Sequence, residues 1–223
     1  MRQMMAGVIS LLAGPAFGAG YQLYTEGSAG ALGQAGAISG RTNLVSLAWY
    51  NPAALAGTDR PAIMLGNTFV QINTDFTSDL GAAANSSMKD EWHSVPHFYY
   101  VQPISDDWTG LLSVNAPYGL ITEWPRGWAG SPVSIYSELT TVYTTPSIAY
   151  RMNKKISLSA GFNVVYADAK LTAFRGPLGE REVTGDDFSF GYTASGHWQI
   201  HDDWGAGIRY QSKVKLEPDG KVE

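Results

Sequence analysis

The chain has 223 residues, 44% of them hydrophobic and 12% aromatic but only 16% charged, with a formal net charge of -5 and no cysteine. Neutralising phosphates requires clustered Lys and Arg, so this balance excludes a nucleic-acid partner. The absent cysteines exclude disulfides, thiolate metal sites and thiol nucleophiles.

The first element is a leader. Arg2 precedes an apolar stretch, Met4 to Ala13, that is too short to cross a bilayer, and small residues follow at Ala16 and Gly18. Gly14-Pro15 breaks any helix that would continue from it. Residues 1–18 therefore read as a signal peptide cleaved after Gly18, and the chain as exported. A Gly-Ala-rich segment follows and ends in Tyr50-Asn51-Pro52-Ala53, where Asn before Pro favours a turn.

From Pro61 onward the pattern has period two. Ile156, Leu158, Ala160, Phe162, Val164 and Tyr166 alternate with Ser157, Ser159, Gly161, Asn163, Val165 and Ala167. The division recurs at Phe188, Phe190, Tyr192, Ala194 and Trp198, and again at Trp204, Ala206, Ile208 and Tyr210 against Gly205, Gly207, Arg209 and Gln211. Alternation alone fits both a soluble sandwich and a membrane barrel, whose senses are opposite.

The connections favour the barrel. Short polar turns at Ser105-Asp106-Asp107, Asn153-Lys154-Lys155 and His201-Asp202-Asp203 alternate with long links near 77–91, 118–136 and 169–186. The spacing predicts about seven strands, near 61–76, 92–104, 107–117, 137–152, 155–168, 187–200 and 203–216. Trp108 and Trp204 each follow a same-side turn, where an aromatic girdle would lie. Outer-membrane barrels close with an even number of strands, and an open edge in lipid leaves unpaired backbone groups. The chain is therefore expected to be the N-terminal part of a longer protein.

Several blocks carry a family resemblance: Ala19-Gly20-Tyr21-Gln22-Leu23, Gly30-Ala31-Leu32-Gly33-Gln34-Ala35, Asn51-Pro52-Ala53, Pro96 to Ile104, Pro117 to Trp124, Ala149 to Asn153, Gly161 to Tyr166 and Tyr210 to Lys215. In this order and spacing they resemble the FadL family of outer-membrane channels for hydrophobic compounds, which includes long-chain fatty acid transporters and aromatic-hydrocarbon uptake proteins. The resemblance implies an all-β antiparallel transmembrane β-barrel of roughly fourteen strands, plugged by a small N-terminal helical or irregular hatch. Residues 19–60 would form the hatch and 61–223 the N-terminal half of the wall. Gly27, Gly30, Gly33, Gly36 and Gly40 keep side-chain volume low where the hatch must fold inside a narrow lumen.

By the same resemblance, a hydrophobic solute, fatty acid or aromatic hydrocarbon, enters from the outer loops and binds in the lumen. It is released when the hatch N-terminus (Ala19, Gly20, Tyr21) shifts, and leaves sideways through an inward kink of the third strand. Asn51-Pro52-Ala53 resembles the hatch turn that helps close the route to the periplasm. Pro117-Tyr118-Gly119 stands where the kink belongs, and Pro117 either breaks the pairing there or simply ends the strand. Val165, Leu171 and Arg175 are candidate ligand contacts. Ala173 matches the position where fatty-acid members are expected to carry a basic residue. Arg175 shares its strand phase if the strand continues, or else meets solvent or lipopolysaccharide phosphate from a loop. The other expected partners are outer-membrane lipid and lipopolysaccharide, the full-length protein being a monomer.

No catalytic constellation, metal site or cofactor site is expected. His93 with His97, and His197 with His201, have helical zinc spacing but lie in extended segments, where their α-carbons stand about 13 Å apart. A phosphate loop at Gly36 to Thr42 fails because Ala35 and Arg41 replace the required Gly and Lys. Asp106-Asp107, Asp186-Asp187 and Asp202-Asp203 project to opposite faces and belong to solvated turns. Two rival roles are a barrel that anchors an adhesive outer loop around Trp124 and Trp128, and a periplasmic ligand-binding sandwich.

Overall fold

The computed structural model describes residues 22–79, 81 and 84–222, so the leader and Ala19, Gly20 and Tyr21 lie outside the described residues. Among the described residues eleven strands form: β1 (Ala62–Ile72), β2 (Asp75–Phe76), β3 (Ser86–Ser87), β4 (Glu91–Pro103), β5 (Trp108–Asn115), β6 (Gly119–Glu123), β7 (Tyr136–Arg151), β8 (Ile156–Phe174), β9 (Glu180–His201), β10 (Trp204–Gln211) and β11 (Asp219–Val222). The main sheet is antiparallel in the order β1-β4-β5-β7-β8-β9-β10, with β6 paired to β7, β11 paired to β9, and β2-β3 forming a separate hairpin. It curls into half a barrel.

Seven strands on the main path match the expected number, but the upper hairpin is longer than the spacing indicated. The link expected over 169–186 shrinks to 175–179, because β8 and β9 stay paired to Phe174↔Glu180. There Lys170 and Glu182 form a diagonal ion pair of 2.9 Å across the two strands, and Gly176 and Gly179 supply the positive φ that closes the turn. The last expected strand, 203–216, instead stops early, at Gln211, and β11 begins beyond it at Asp219.

The opposite turns are tight. Asn153 Oδ1 accepts from the backbone N–H of Lys155 at 2.8 Å and of Ile156 at 2.9 Å, while Ser105 Oγ accepts from Trp108 N. Trp108 and Trp204 are exposed beside these turns, Trp108 against the Tyr150 ring at 4.5 Å.

The convex face carries the large apolar side chains. Leu65, Phe69, Phe162, Phe190 and Ile208 are all exposed, Leu65 and Ile208 by about three quarters (79% and 74%). Phe162 and Phe190 stack at 5.6 Å, but on that outer surface rather than in a closed core. A face this apolar requires hydrocarbon as its solvent. Ser157, Ser159, Asn163 and Val165 of β8, with Thr193, Ser195 and His197 of β9, are buried on the concave side. The N-terminal segment covers them: a 3-10 turn (Thr25–Gly27), a helical turn (Ala29–Leu32) capped by Ser28 Oγ, a second helical turn (Leu47–Tyr50) and a 3-10 turn (Pro52–Leu55). Its Ala31, Ile38, Leu47, Trp49 and Tyr50 share one buried cluster with Tyr99, Leu111, Tyr143 and Val165 of the wall.

The fit to β10 is backbone to backbone. A Cβ on Gly207 would lie 1.9 Å from Ser39 O, and one on Gly205 2.3 Å from Gly40 O, so this edge admits the segment only because both positions lack side chains. Gly207→Val is expected to displace residues 37–41 while leaving the wall folded. Limited proteolysis should then cut within 22–60 several-fold faster, with unchanged heat-modifiable migration in detergent.

Candidate functional site

The Asn51-Pro52-Ala53 turn rests on the wall by hydrogen bonds from both backbone and side chain. Asn51 Nδ2 donates to Ser39 O at 2.6 Å and to Gly196 O of β9 at 3.3 Å. Ala53 N donates to Ser195 Oγ at 3.0 Å, and that hydroxyl lies 2.6 Å from Ser159 Oγ of β8. Pro52 opens the 3-10 turn, where a missing N–H costs nothing. Asn51, Pro52 and Ala53 are all buried. Lower down, Gly57 N donates to Thr109 Oγ1, and Arg151 donates to the carbonyls of Gly57 and Asp106.

The wall is thin at Ala116-Pro117-Tyr118. β4 pairs with β5 only as far as His97↔Asn115, although its pairing with β1 continues to Glu91. The third strand does not leave the sheet at Pro117. It resumes at Gly119 as β6, paired to β7 by Gly119↔Thr140 where β5 ended at Asn115↔Tyr143, a slip of one residue. Beyond His97, the edge of β4 therefore faces no strand on that side.

Other groups take up the freed backbone. Leu23 N donates to Pro117 O at 2.6 Å, and Gln22 forms a bridge with Tyr118. Thr141 N and Thr141 Oγ1 both donate to Tyr118 O, at 3.0 and 2.8 Å. Lys89 N donates to Glu123 O at 2.8 Å, and the Lys89 ammonium, held above its ordinary pKa by its hydrogen bonds to Glu91 and then Glu123, pins the far end. Two small cavities flank the break and share Pro96, His97, Asn115 and Ala116. One of about 110 Å3 opens to the convex side between Leu65, Phe98 and Val114; the other, of about 10 Å3, touches Leu23 and Trp49 inside.

Tyr99 secures the inner rim. Its hydroxyl contacts Gly27 O and lies 2.6 Å from Asn115 Oδ1. One phenol carries one proton, and Asn115 Nδ2 has no partner. Turning the Asn115 amide over satisfies both: its NH2 donates to Tyr99 Oη, which donates to Gly27 O. The Tyr50 phenol donates to Tyr24 O at 2.6 Å and is pushed up in pKa by burial.

The three expected ligand contacts fall in different places. Leu171 lines a mostly apolar recess of about 410 Å3 with Val183, Pro218 and Val222 on the concave side. Val165 is fully buried in the cluster with Trp49 and Tyr143 and faces no open space. Arg175 sits in the exposed β8–β9 turn, since the strand ends at Phe174, so it does not share the strand phase of Ala173. His93 and His97 lie on β4, and His197 and His201 on β9, all in extended backbone. Trp124 and Trp128 stack at 4.5 Å, and Trp128 meets the Phe76 ring at 5.5 Å, so these loop aromatics are spent on one another.

One group escaped sequence reasoning. Arg209 of β10 points inward and places its guanidinium 4.3 Å from the centre of the Trp49 ring. Its Nε donates to Thr193 Oγ1 at 3.2 Å and Nη2 to Gln211 Oε1 at 2.8 Å. Thr193 spends its own proton on Tyr210 O, which leaves its oxygen free to accept. The available signal was the one cation on the Gly205, Gly207, Arg209, Gln211 face.

Residues 9–223 match the family described as outer membrane protein transport protein (OMPP1/FadL/TodX). A long-chain fatty acid transport protein of Escherichia coli O6:H1 is 30% identical over an alignment of 252 residues, covering 98% of this chain and 56% of that protein. Among solved structures, a Pseudomonas aeruginosa FadL homologue superposes with a TM-score of 0.74 at 22% identity, over 88% of this chain and 53% of that one. The Ralstonia pickettii toluene transporter TbuX gives 0.68 at 15% identity, over 89% and 58%. The chain thus spans about half the length of the relatives it matches.

Ser195→Ala removes the acceptor for the buried Ala53 N–H, at a cost of about 1–3 kcal/mol. Hydrogen exchange at Ala53 is expected to speed up by about 10- to 100-fold, with the amides of β8 and β9 unaffected.

Proposed function

The chain belongs to the OMPP1/FadL/TodX family of outer-membrane transport proteins, and from that premise we propose that the intact protein is a passive channel for hydrophobic compounds, long-chain fatty acids foremost. Its place is the outer membrane, where lipopolysaccharide presents a polar barrier to such solutes. The work is carriage rather than catalysis: an apolar passenger needs a dry pocket and an exit that avoids a long aqueous path.

On this reading residues 19–60 are the hatch and 61–223 the N-terminal half of the wall, with Asn51-Pro52-Ala53 closing the periplasmic route. The passenger passes the Leu171 recess and moves down the lumen. It displaces the N-terminal end of the hatch, Ala19, Gly20 and Tyr21, and leaves through the wall at Pro117-Tyr118-Gly119. The single observation that carries this reading is the break between β4 and the third strand, with a cavity on each side and with Leu23 of the hatch occupying the pairing position that β4 gives up.

A gap plugged by the hatch itself couples hatch position to wall opening, because moving Leu23 exposes the edge it covers. The hydrocarbon alternative uses the same path with a neutral passenger, and TbuX, whose fold this chain shares, is a toluene transporter.

The test closes the break. A Cβ on Gly119 would meet only Leu23 Cδ1, at 3.6 Å, so Gly119→Val fits, and Pro117→Thr returns the missing ladder donor. The double variant is expected to insert normally by heat-modifiable migration while taking up labelled oleate at least several-fold more slowly. Unchanged uptake would remove the lateral exit, and comparing labelled oleate with labelled toluene in the wild type separates the two passenger classes.

A further inference from the structure

We infer that the cleft between residues 54–59 and the β7–β8 turn is a binding site for a phosphate group, whose occupancy ties the N-terminal segment to the wall. The cavity measures about 400 Å3, and both of its sides belong to the described residues. The N-terminal segment supplies Thr42 and Gly57 to one side, while the wall supplies Arg151, Lys155, Ser157 and His197 to the other. Its volume falls in the range of small-molecule pockets, about 300–1,000 Å3. It shares no residue with the Leu171 recess or with the two cavities at the wall break.

Charge selects the ligand. The whole chain has a net charge of -5, yet here the sign reverses: Arg151, Lys154 and Lys155 line the cleft against one carboxylate, Asp59, which itself lies 3.8 Å from Arg60. Thr42 and Ser157 add hydroxyl donors. A carboxylate offers too few oxygens to meet a guanidinium, an ammonium and a hydroxyl at once, whereas a phosphate does so.

The cations stand in a prepared frame. Arg151 Nε donates to Asp107 Oδ1 at 3.4 Å, and Nη1 and Nη2 donate to the carbonyls of Gly57 and Asp106, which leaves one N–H on each Nη. A Cβ on Gly57, whose φ is +72°, would overlap the guanidinium, so this seat exists because position 57 carries no side chain. Asn153 Oδ1, by accepting from Lys155 N and Ile156 N, fixes the turn that carries both lysines. Little backbone freedom is lost on binding.

A buried histidine marks the same wall. His197, only 5% exposed, lines the cleft, and its Nε2 lies 3.2 Å from Gln199 Oε1 while the Gln199 amide nitrogen donates to His201 O. Its Nδ1 is enclosed without a partner, an unmet polar demand in the lining of the cleft. A phosphate held here touches residues 54–59 and the β7–β8 turn together, so freeing the segment requires releasing the anion. Occupancy therefore stabilises the seated segment by linkage.

The test follows hydrogen exchange in the intact protein in a neutral detergent, with inorganic phosphate as the probe and chloride at matched ionic strength as the control. A site with a Kd of about 1 mM slows exchange of the Gly57 and Thr58 amides about tenfold at about 10 mM phosphate. Lys154→Gln combined with Lys155→Gln is expected to abolish that slowing and leave exchange in chloride unchanged, while the paired arginine replacements retain it. Repeating the measurement in phosphatidylglycerol bilayers without free phosphate separates the sources: slowing found only there assigns the site to a lipid head group, and slowing by free phosphate in detergent assigns it to a soluble anion. Equal slowing by chloride, slowing that survives in the glutamine pair, or no slowing in either medium overturns the site and leaves the transport reading untouched.

Discussion

In hydrocarbon a backbone N–H or C=O has no water to fall back on, so a wall that faces lipid can interrupt its ladder only where some other group completes it. The break beyond Asn115 meets that condition from three directions. Leu23 supplies a donor to Pro117, Thr141 ties Tyr118 to β7, and Lys89 holds the end of β6. Pro117 lowers the demand further, because it brings no donor of its own. The weak place in the wall is thus also the place where the N-terminal segment is indispensable.

The rest of the architecture serves that arrangement. The concave face is polished with Ser, Thr, Gly and Asn, so that a compact segment seats backbone against wall at Gly205 and Gly207 and hydroxyl against N–H at Ser195. Its stability comes from the buried cluster around Trp49 and Tyr50, with the large apolar side chains of the convex face left to the lipid. Two solvents act on one sheet, and the period of two assigns each residue to one of them.

That division is why the fold was legible in the sequence. Ile156 to Tyr166 and Phe188 to Trp198 announce their strands because lipid demands apolar side chains on every second residue. The same signal fails at the far end of the β8–β9 hairpin. Residues 169–174 and 180–186 are strands held by pairing and by the diagonal Lys170–Glu182 ion pair, and they carry no greasy alternation, so they read as a loop. Pro117 read equally as an end or a kink, since the one-residue slip to β6 depends on Thr141 in a strand more than twenty positions away. Arg209 was passed over because a lone arginine on a small-residue face usually points to water; only the fold shows that Trp49 lies beneath it.

The bond from Asn51 to Gly196 spans 145 positions of chain, and the seat for Ser39 and Gly40 is on β10, later still. Loops of that length close late, after the local hairpins have zipped. The N-terminal segment is consequently among the last to find its place. Until the far strands are laid down, Trp49 and Leu47 have no wall to shelter them, and the residues that later anchor the segment are the ones it leaves bare.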